Sequence, residues 1–300
     1  MTAAAASARE APFQPYDALL YALTVFAWSA SWYALAVQAA SGVAPPVSVA
    51  WRFVLASAVM FAWAGLRRQG LRFPPAEHLR FAALGLLIFS LNFTLFYYAS
   101  LTIVSGLLAV VFSLASIVNM GLNAALERRP PPARRLAGAA LGAGGVALLY
   151  APSLKAGAAS ATGLALCLGG VLSFCLGNLV SARLQARGAP FLASNAWGMA
   201  YGAAWAALGA ALMGERFALP LDAAYLGSLL WLALVSTVLA FWAYLTLVGR
   251  IGSGRAAYAT VMFPIFALLI STAVEGYAWS PAAALGVGMA LAGNLFVLRR

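Results

Sequence analysis

Charged residues are scarce in this sequence. Asp, Glu, Lys and Arg make up 8% of the 300 residues, whereas about 25% is usual in a soluble globular domain. Hydrophobic residues reach 64%, and the mean hydropathy is +0.91. This composition excludes a soluble globular protein and predicts an all-α integral membrane protein with many spans.

Acidic residues are the rarest charged type, and each of them falls in a tail, a loop or the end of a predicted helix. The seven are Glu10, Asp17, Glu77, Glu127, Glu215, Asp222 and Glu275. The single histidine, His78, also falls in a predicted loop. Proton-coupled transporters usually keep a carboxylate or a histidine at membrane depth. The sequence therefore disfavours coupling through a buried acid and favours facilitative transport.

The residues that catalysis and cofactor binding require are also missing. The only lysine, Lys155, lies in a predicted loop, and no Gly-rich nucleotide loop ends in Lys-Ser or Lys-Thr. No His or Cys residues have metal-ligand spacing. Cys167 and Cys175 are about 12 Å apart along one predicted helix, which is too far for a disulfide. We expect no enzyme activity, no cofactor and no metal.

Apolar runs of about 20 residues, the length that crosses a bilayer, are what the chain has in abundance. They predict ten transmembrane helices at residues 17–39, 45–66, 79–100, 104–126, 133–151, 160–182, 190–213, 223–247, 252–274 and 280–298. We divide the chain into a cytoplasmic N-terminal tail at 1–16 and two five-helix repeats at 17–151 and 160–298.

The basic residues fit this assignment. Of the eighteen, fifteen arginines fall on one side of the predicted membrane, Lys155 and Arg216 fall on the other, and Arg52 lies within a span. The positive-inside rule then puts both termini in the cytoplasm of a bacterial-type cell, with a multi-pass chain in the inner membrane. Because the basic residues are spread over short loops, they are topology signals and do not predict nucleic-acid binding.

The two predicted halves repeat each other. At an offset of 148 residues, Ser105 and Gly106 match Ser253 and Gly254, and Glu127 matches Glu275. Earlier in each half the offset is 146. With five spans per half, the second copy must enter the membrane from the opposite face. This inverted-topology repeat is typical of secondary transporters, whose substrate sites lie between the repeats.

Several short motifs occur in the same order as in a known family. They are residues 28–31 (Trp-Ser-Ala-Ser), residues 51–53 (Trp-Arg-Phe), residues 92–99, and a Glu-then-Pro turn before a Gly-rich helix in each half. With the two five-helix halves, the chain resembles the drug/metabolite transporter superfamily, in its EamA-like ten-helix branch. Within that branch it is similar to bacterial exporters of amino acids, including aromatic ones.

The resemblance implies a central cavity around helices 1, 3, 4, 6, 8 and 9, with helices 2 and 7 outside it and helices 5 and 10 forming a Gly-rich brace. Small residues let such helices pack closely within one chain. A monomer is expected, and a homodimer contact stays open.

Polar and aromatic residues on the cavity helices are the candidates for binding a substrate with hydrogen bonds and flat apolar surface. They are Asn92, Tyr97, Ser113, Asn178, Trp242, Tyr244 and Tyr258. For each one, packing between helices is the alternative role.

Arg52 is the single charge well inside a predicted span. It either attracts a substrate carboxylate or binds helix-end carbonyls and lipid headgroups. We favour the second role, because the resemblance puts helix 2 outside the cavity. Pro264 should kink helix 9, and Gly106 and Gly254 lie in turns where helices would bend during gating.

The sequence thus predicts an exporter of small metabolites, with amino acids as the favoured substrates, membrane lipid as its surroundings and no nucleic acid as a partner. Export of amphipathic drugs or other metabolites, with or without proton coupling, is one alternative. A membrane receptor or scaffold that transports nothing is the other.

Overall fold

The computed structural model describes residues 14–156, 158–251, 253–256 and 258–298. Most of the predicted tail at 1–16 lies outside these residues. Within them the chain forms helices and the turns that join them, and none of the described residues is in a β-strand.

The helices follow one another through short connections. In chain order they are α1 Pro15–Ala39, α2 Pro45–Leu66, α3 Pro75–Ser100, α4 Ser105–Glu127, α5 Ala133–Ala156, α6 Ala158–Ala186, α7 Phe191–Leu212, α8 Ala223–Ile251, α9 Ala259–Val274 and α10 Pro281–Leu298. A one-turn helix, Ser253–Ala256, lies between α8 and α9.

Six of these helices are long and apolar enough to cross a membrane, namely α1, α2, α3, α4, α6 and α8. The helices α9 and α10 are apolar but shorter. The molecule is therefore a multi-pass integral membrane protein of all-α class. The count of ten spans and the inverted arrangement of the halves stay predictions.

Helix ends follow from local sequence. Proline occupies the first turn of α1, α2 and α3, where no backbone N–H is needed. Gly42 and Gly188 have φ of +80° and +81° just after α1 and α6, a conformation that glycine adopts without strain. These two glycines are 146 residues apart and match in the sequence repeat.

Each half has a π-helical stretch in its third helix. Residues Gly85–Leu91 of α3 and Trp231–Leu239 of α8 are both π-helical, and their first residues are again 146 apart. Such wider turns inside α-helices occur often at functional sites, because they change the direction of the side chains that follow. Both stretches lie beside the cavity described below.

The Gly-rich helices α5 and α10 pack directly on each other. A Cβ atom added to Gly293 would lie 2.4 Å from Gly142 N and 2.5 Å from Gly138 O, and one added to Gly145 would lie 2.5 Å from Ala290 N. Only glycine allows backbones to come this close. In this structure the predicted contact between helices 5 and 10 is made within the chain.

The helix α1 contacts α4, α8 and α9. The helix α2 packs mainly on α7 and also reaches the π-helical stretch of α8. This second contact brings one side of α2 to the centre of the molecule.

Candidate functional site

A cavity of about 970 Å³ lies between the helices and reaches the surface beside the loop that follows α4. Among the described residues, its lining draws on every helix except α7. We call the opening, formed by Glu127, Arg129, residues 130–132 and Arg135, the mouth. The end away from the mouth is the deep end.

Eleven aromatic rings of the described chain line the cavity. They belong to Trp28, Trp32, Phe53, Phe89, Phe93, Phe96, Phe112, Phe174, Phe241, Tyr244 and Phe263. The rings contact one another, with centroids 5.1 Å apart for Trp32 and Phe96 and 4.8 Å apart for Phe112 and Phe174. Rings that pack on each other are held in place, so the wall offers fixed flat surfaces to an apolar ligand.

Arg52 of α2 lies at the deep end and is only 4% exposed. Its guanidinium carbon is 4.2 Å from the centre of the Phe93 ring, and its Nη2 donates a hydrogen bond to Thr237 Oγ1 at 3.3 Å. The hydroxyl group of Tyr97 interacts with it electrostatically. Among the described atoms, Arg52 Nε has no hydrogen-bond partner.

No carboxylate of the described chain pairs with Arg52. The ion pairs found there join Arg80 and Arg187 to Glu77, and Arg250 to Asp17. A buried charge without a counter-charge is costly, and within a membrane such a residue usually marks a substrate or ion pathway. The site can therefore bind an anionic group.

Asn92 comes directly after the π-helical stretch of α3 and is 2% exposed. Its Nδ2 donates to the Ile88 carbonyl at 3.2 Å, whereas its Oδ1 accepts no hydrogen bond from the described chain. An unpaired buried acceptor costs about 1–3 kcal/mol. Asn92 lines the cavity, and its Oδ1 is a buried acceptor that no residue of the described chain satisfies in this conformation.

A polar stripe runs along α4 from the cavity wall to the mouth. It consists of Ser113, Ser116, Asn119, Asn123 and Glu127. Ser116 donates to Asn294 Oδ1 of α10. Of these five residues, only Ser113 was predicted from the sequence to line the cavity. Their spacing of three, three, four and four residues, which puts them on one face of a helix, is the signal that could have found them.

Five residues singled out from the sequence line the cavity: Asn92, Ser113, Asn178, Tyr244 and Arg52. From the sequence, Arg52 was expected outside the cavity, where it would bind helix-end carbonyls and lipid headgroups. The structure corrects this expectation, because Arg52 lines the cavity. The helix α2 contributes Phe53 as well, because its long side chains reach between α3 and α8.

Three predicted residues do not line the cavity: Tyr97, Trp242 and Tyr258. Tyr97 is fully buried and donates a hydrogen bond to Gln38 Oε1, so it lies behind Arg52 instead of facing the cavity. Trp242 faces a separate shallow groove with Trp63 and Arg67. Tyr258 immediately precedes α9 and is partly buried.

The candidate hinge residues have different surroundings. Pro264 is buried in the middle of α9, and the Phe263 carbonyl before it accepts a hydrogen bond from Ser29. Gly106 packs against α9, with its added Cβ only 2.8 Å from Leu268 Cα. Gly254 lies in the one-turn helix before α9. Gly106 is therefore a point of close packing, and the gating role of all three stays a prediction.

The end opposite the mouth is closed by polar contacts between helix ends. Tyr97 of α3 binds Gln38 of α1, and Glu275, just after α9, accepts hydrogen bonds from the N–H and the hydroxyl group of Ser105 on α4. The cavity is thus open at one end and closed at the other.

A deep cavity lined by many aromatic rings, inside a multi-pass helical membrane protein and open at one end only, is an arrangement typical of transporters. The model of the EamA-like transporter family matches residues 17–151 and again residues 161–299, so this chain belongs to that family. The resemblance stated from the motifs is confirmed at the level of the EamA-like transporter family.

Two relatives fit this assignment. Protein PagO of Salmonella typhimurium is 31% identical over 96 residues, which are 32% of this chain and 31% of PagO, so the match spans less than a third of that relative. A solved crystal structure of a protein shares 20% sequence identity and has a TM-score of 0.65, over 93% of this chain and 95% of that one. At this identity the second likeness shows the fold alone.

Proposed function

We propose that this protein exports amino acids, aromatic ones included, across the inner membrane. The observation that carries the proposal is Arg52, a buried cation that no carboxylate of the described chain neutralises, beside a wall of aromatic rings. A substrate carboxylate would supply the missing negative charge. The rings would contact a large apolar side chain.

The proposed mechanism is facilitative alternating access between two inverted five-helix halves. Ten spans with both termini in the cytoplasm would put the mouth on the cytoplasmic side, since Arg129 and Arg135 form part of it. The conformation described here then accepts substrate from the cell. Opening of the contact between Ser105 and Glu275 would release it outside.

The absence of an acid at the deep end supports the lack of proton coupling. Glu127 is the only acidic residue of the described cavity lining, and it lies at the exposed mouth. An exposed carboxylate at the mouth is not at membrane depth, where proton-coupled transporters usually keep their ionisable group. Substrate would therefore move down its own gradient.

A second candidate is export of larger amphipathic compounds. The cavity volume of about 970 Å³ is at the upper end of the range for small-molecule sites, roughly 300–1,000 Å³, and exceeds what one amino acid fills. The same aromatic wall would bind the apolar part of such a compound.

Flux of radiolabelled phenylalanine and methionine in proteoliposomes tests the proposal, with and without a pH gradient and with unlabelled amino acids as competitors. We expect saturable flux that competitors reduce, that ignores the pH gradient and that the Arg52→Gln variant loses. Flux of amphipathic drugs alone would favour the second candidate. Binding without flux would indicate a receptor or scaffold.

A further inference from the structure

We infer that Asn92 is the residue that selects an α-amino acid over a simple carboxylate, because its Oδ1 accepts a hydrogen bond from the substrate's α-ammonium group while Arg52 binds the carboxylate. This inference rests on the proposed function and adds to it the identity of the second polar group that the site recognises.

The hydrogen bond that Asn92 already makes fixes the direction of its side chain. Its Nδ2 donates to the Ile88 carbonyl at 3.2 Å, so its Oδ1 is turned away from the backbone of α3. That oxygen is buried and accepts nothing from the described residues. The atom of Asn92 that is left for a substrate is therefore an acceptor, Oδ1.

Arg52 offers the complementary atoms. A guanidinium group has donors only, and the Nε of Arg52 has no partner in the described structure. Phe93, whose ring lies 4.2 Å from the guanidinium carbon, directly follows Asn92 in the chain. Asn92 and Arg52 thus line the same cavity, and each has a buried polar atom without a partner in the described structure.

Each of the two groups lies next to a π-helical stretch. Thr237, the hydrogen-bond partner of Arg52, lies in the π-helical stretch of α8, and Asn92 comes directly after that of α3. At the offset of 146 residues Arg52 matches Gly198 and Asn92 matches Val238. The pair therefore exists once in the molecule and defines one substrate orientation.

A ligand that satisfies both atoms must carry an anion and a hydrogen-bond donor close together. An α-amino acid has its carboxylate and its ammonium group on one carbon atom. An analogue without the ammonium group would leave Asn92 Oδ1 buried and unpaired, and sites built to bind a polar group reject such analogues strongly. No acidic residue of the described cavity lining lies at the deep end, so a neutral amide oxygen recognises the ammonium group.

The test compares L-phenylalanine with 3-phenylpropanoate, which lacks only the ammonium group, in proteoliposomes containing the full chain. Wild-type protein should transport phenylalanine at least about tenfold better. In Asn92→Leu phenylalanine flux should fall about tenfold while 3-phenylpropanoate flux stays the same, so the ratio approaches one. Asn92→Ser, which keeps an acceptor oxygen, should retain part of the preference.

The matched control is Asn195→Leu on α7. The Nδ2 of Asn195 makes the same kind of bond, to the Phe191 carbonyl at 2.9 Å, but Asn195 does not line the cavity, so the ratio should stay at the wild-type value.

Equal wild-type flux of the two compounds, or an unchanged ratio in Asn92→Leu, would overturn the inference and leave a carboxylate exporter. No flux of either compound would overturn the proposed function itself. If Asn92→Leu does not fold, the ratio of phenylalanine flux to 3-phenylpropanoate flux in wild-type protein and in Asn92→Ser tests the inference instead.

Discussion

Glu275 and Ser105 join the end of α9 to the start of α4 at the closed end of the cavity. The backbone N–H of Ser105 donates to both carboxylate oxygens of Glu275, at 3.2 Å each, and the Ser105 hydroxyl group donates to Oε2 as well. Bonds to a charged acceptor contribute about 1.5–3 kcal/mol each. This contact is therefore among the strongest that hold the closed end together.

Replacing Glu275 by Gln should open that end more often. We expect a cysteine introduced at Ser31, in the cavity wall, to react about tenfold faster with a membrane-impermeant thiol reagent added from the side opposite the mouth. Glu215→Gln, in the loop after α7, is the control. Reaction at an unchanged rate would show that other contacts keep this end closed.

Arg52→Met should make the protein more stable and less active at once. The change removes a buried charge but keeps an apolar side chain against Phe53 and Phe93, so the free energy of unfolding should rise by ~1–3 kcal/mol. Amino-acid flux should fall at least tenfold. Thermal unfolding in detergent and flux assays measure the two effects, and Arg67→Met, at the exposed end of the same helix, should alter neither. A loss of stability would mean that Arg52 serves the fold.

Gly293→Ala should destabilise the contact between α5 and α10. The new methyl group would overlap the backbone of Gly138 and Gly142, and such overpacking costs about 1–3 kcal/mol or more. Gly288→Ala on the same helix is the control, since no atom lies within 4 Å of its added Cβ. Denaturant unfolding should separate the two variants, and equal stability would contradict direct packing of these helices.

Pro264→Ala tests the hinge in α9. Alanine restores a backbone N–H in the middle of the helix, which should straighten the helix. The conversion between the conformation open at the mouth and the conformation open at the opposite end should then be slower. We expect flux to fall several-fold with an unchanged half-saturation concentration. Pro281→Ala, at the first position of α10, should have no such effect because no N–H is needed there. Wild-type flux and cysteine accessibility in Pro264→Ala would exclude the hinge.

The helices and their ends could be predicted from the sequence, because both depend on local sequence. Helices appear as long apolar runs, and their ends appear as prolines and glycines such as Pro45 and Gly42, because these residues act on the local backbone. The brace was predictable as well, since glycines are the residues that let two helices touch.

The cavity lining was only partly predictable, because most helices here are apolar all round and give little indication of which side faces inward. Tyr97 and Asn92 are both polar residues of α3, yet Tyr97 is buried against Gln38 and Asn92 lines the cavity. The π-helical stretch before Asn92 turns the helix by an amount that no simple period predicts.

The buried guanidinium of Arg52 also gives a way to find substrates without measuring transport. A ligand that neutralises this charge binds the folded protein and not the unfolded one, so it raises the free energy of unfolding by about 2.7 kcal/mol at a concentration of 100 times its dissociation constant. Melting temperatures recorded across a panel of carboxylates would rank them as substrates. The same panel on Arg52→Met should give no rise.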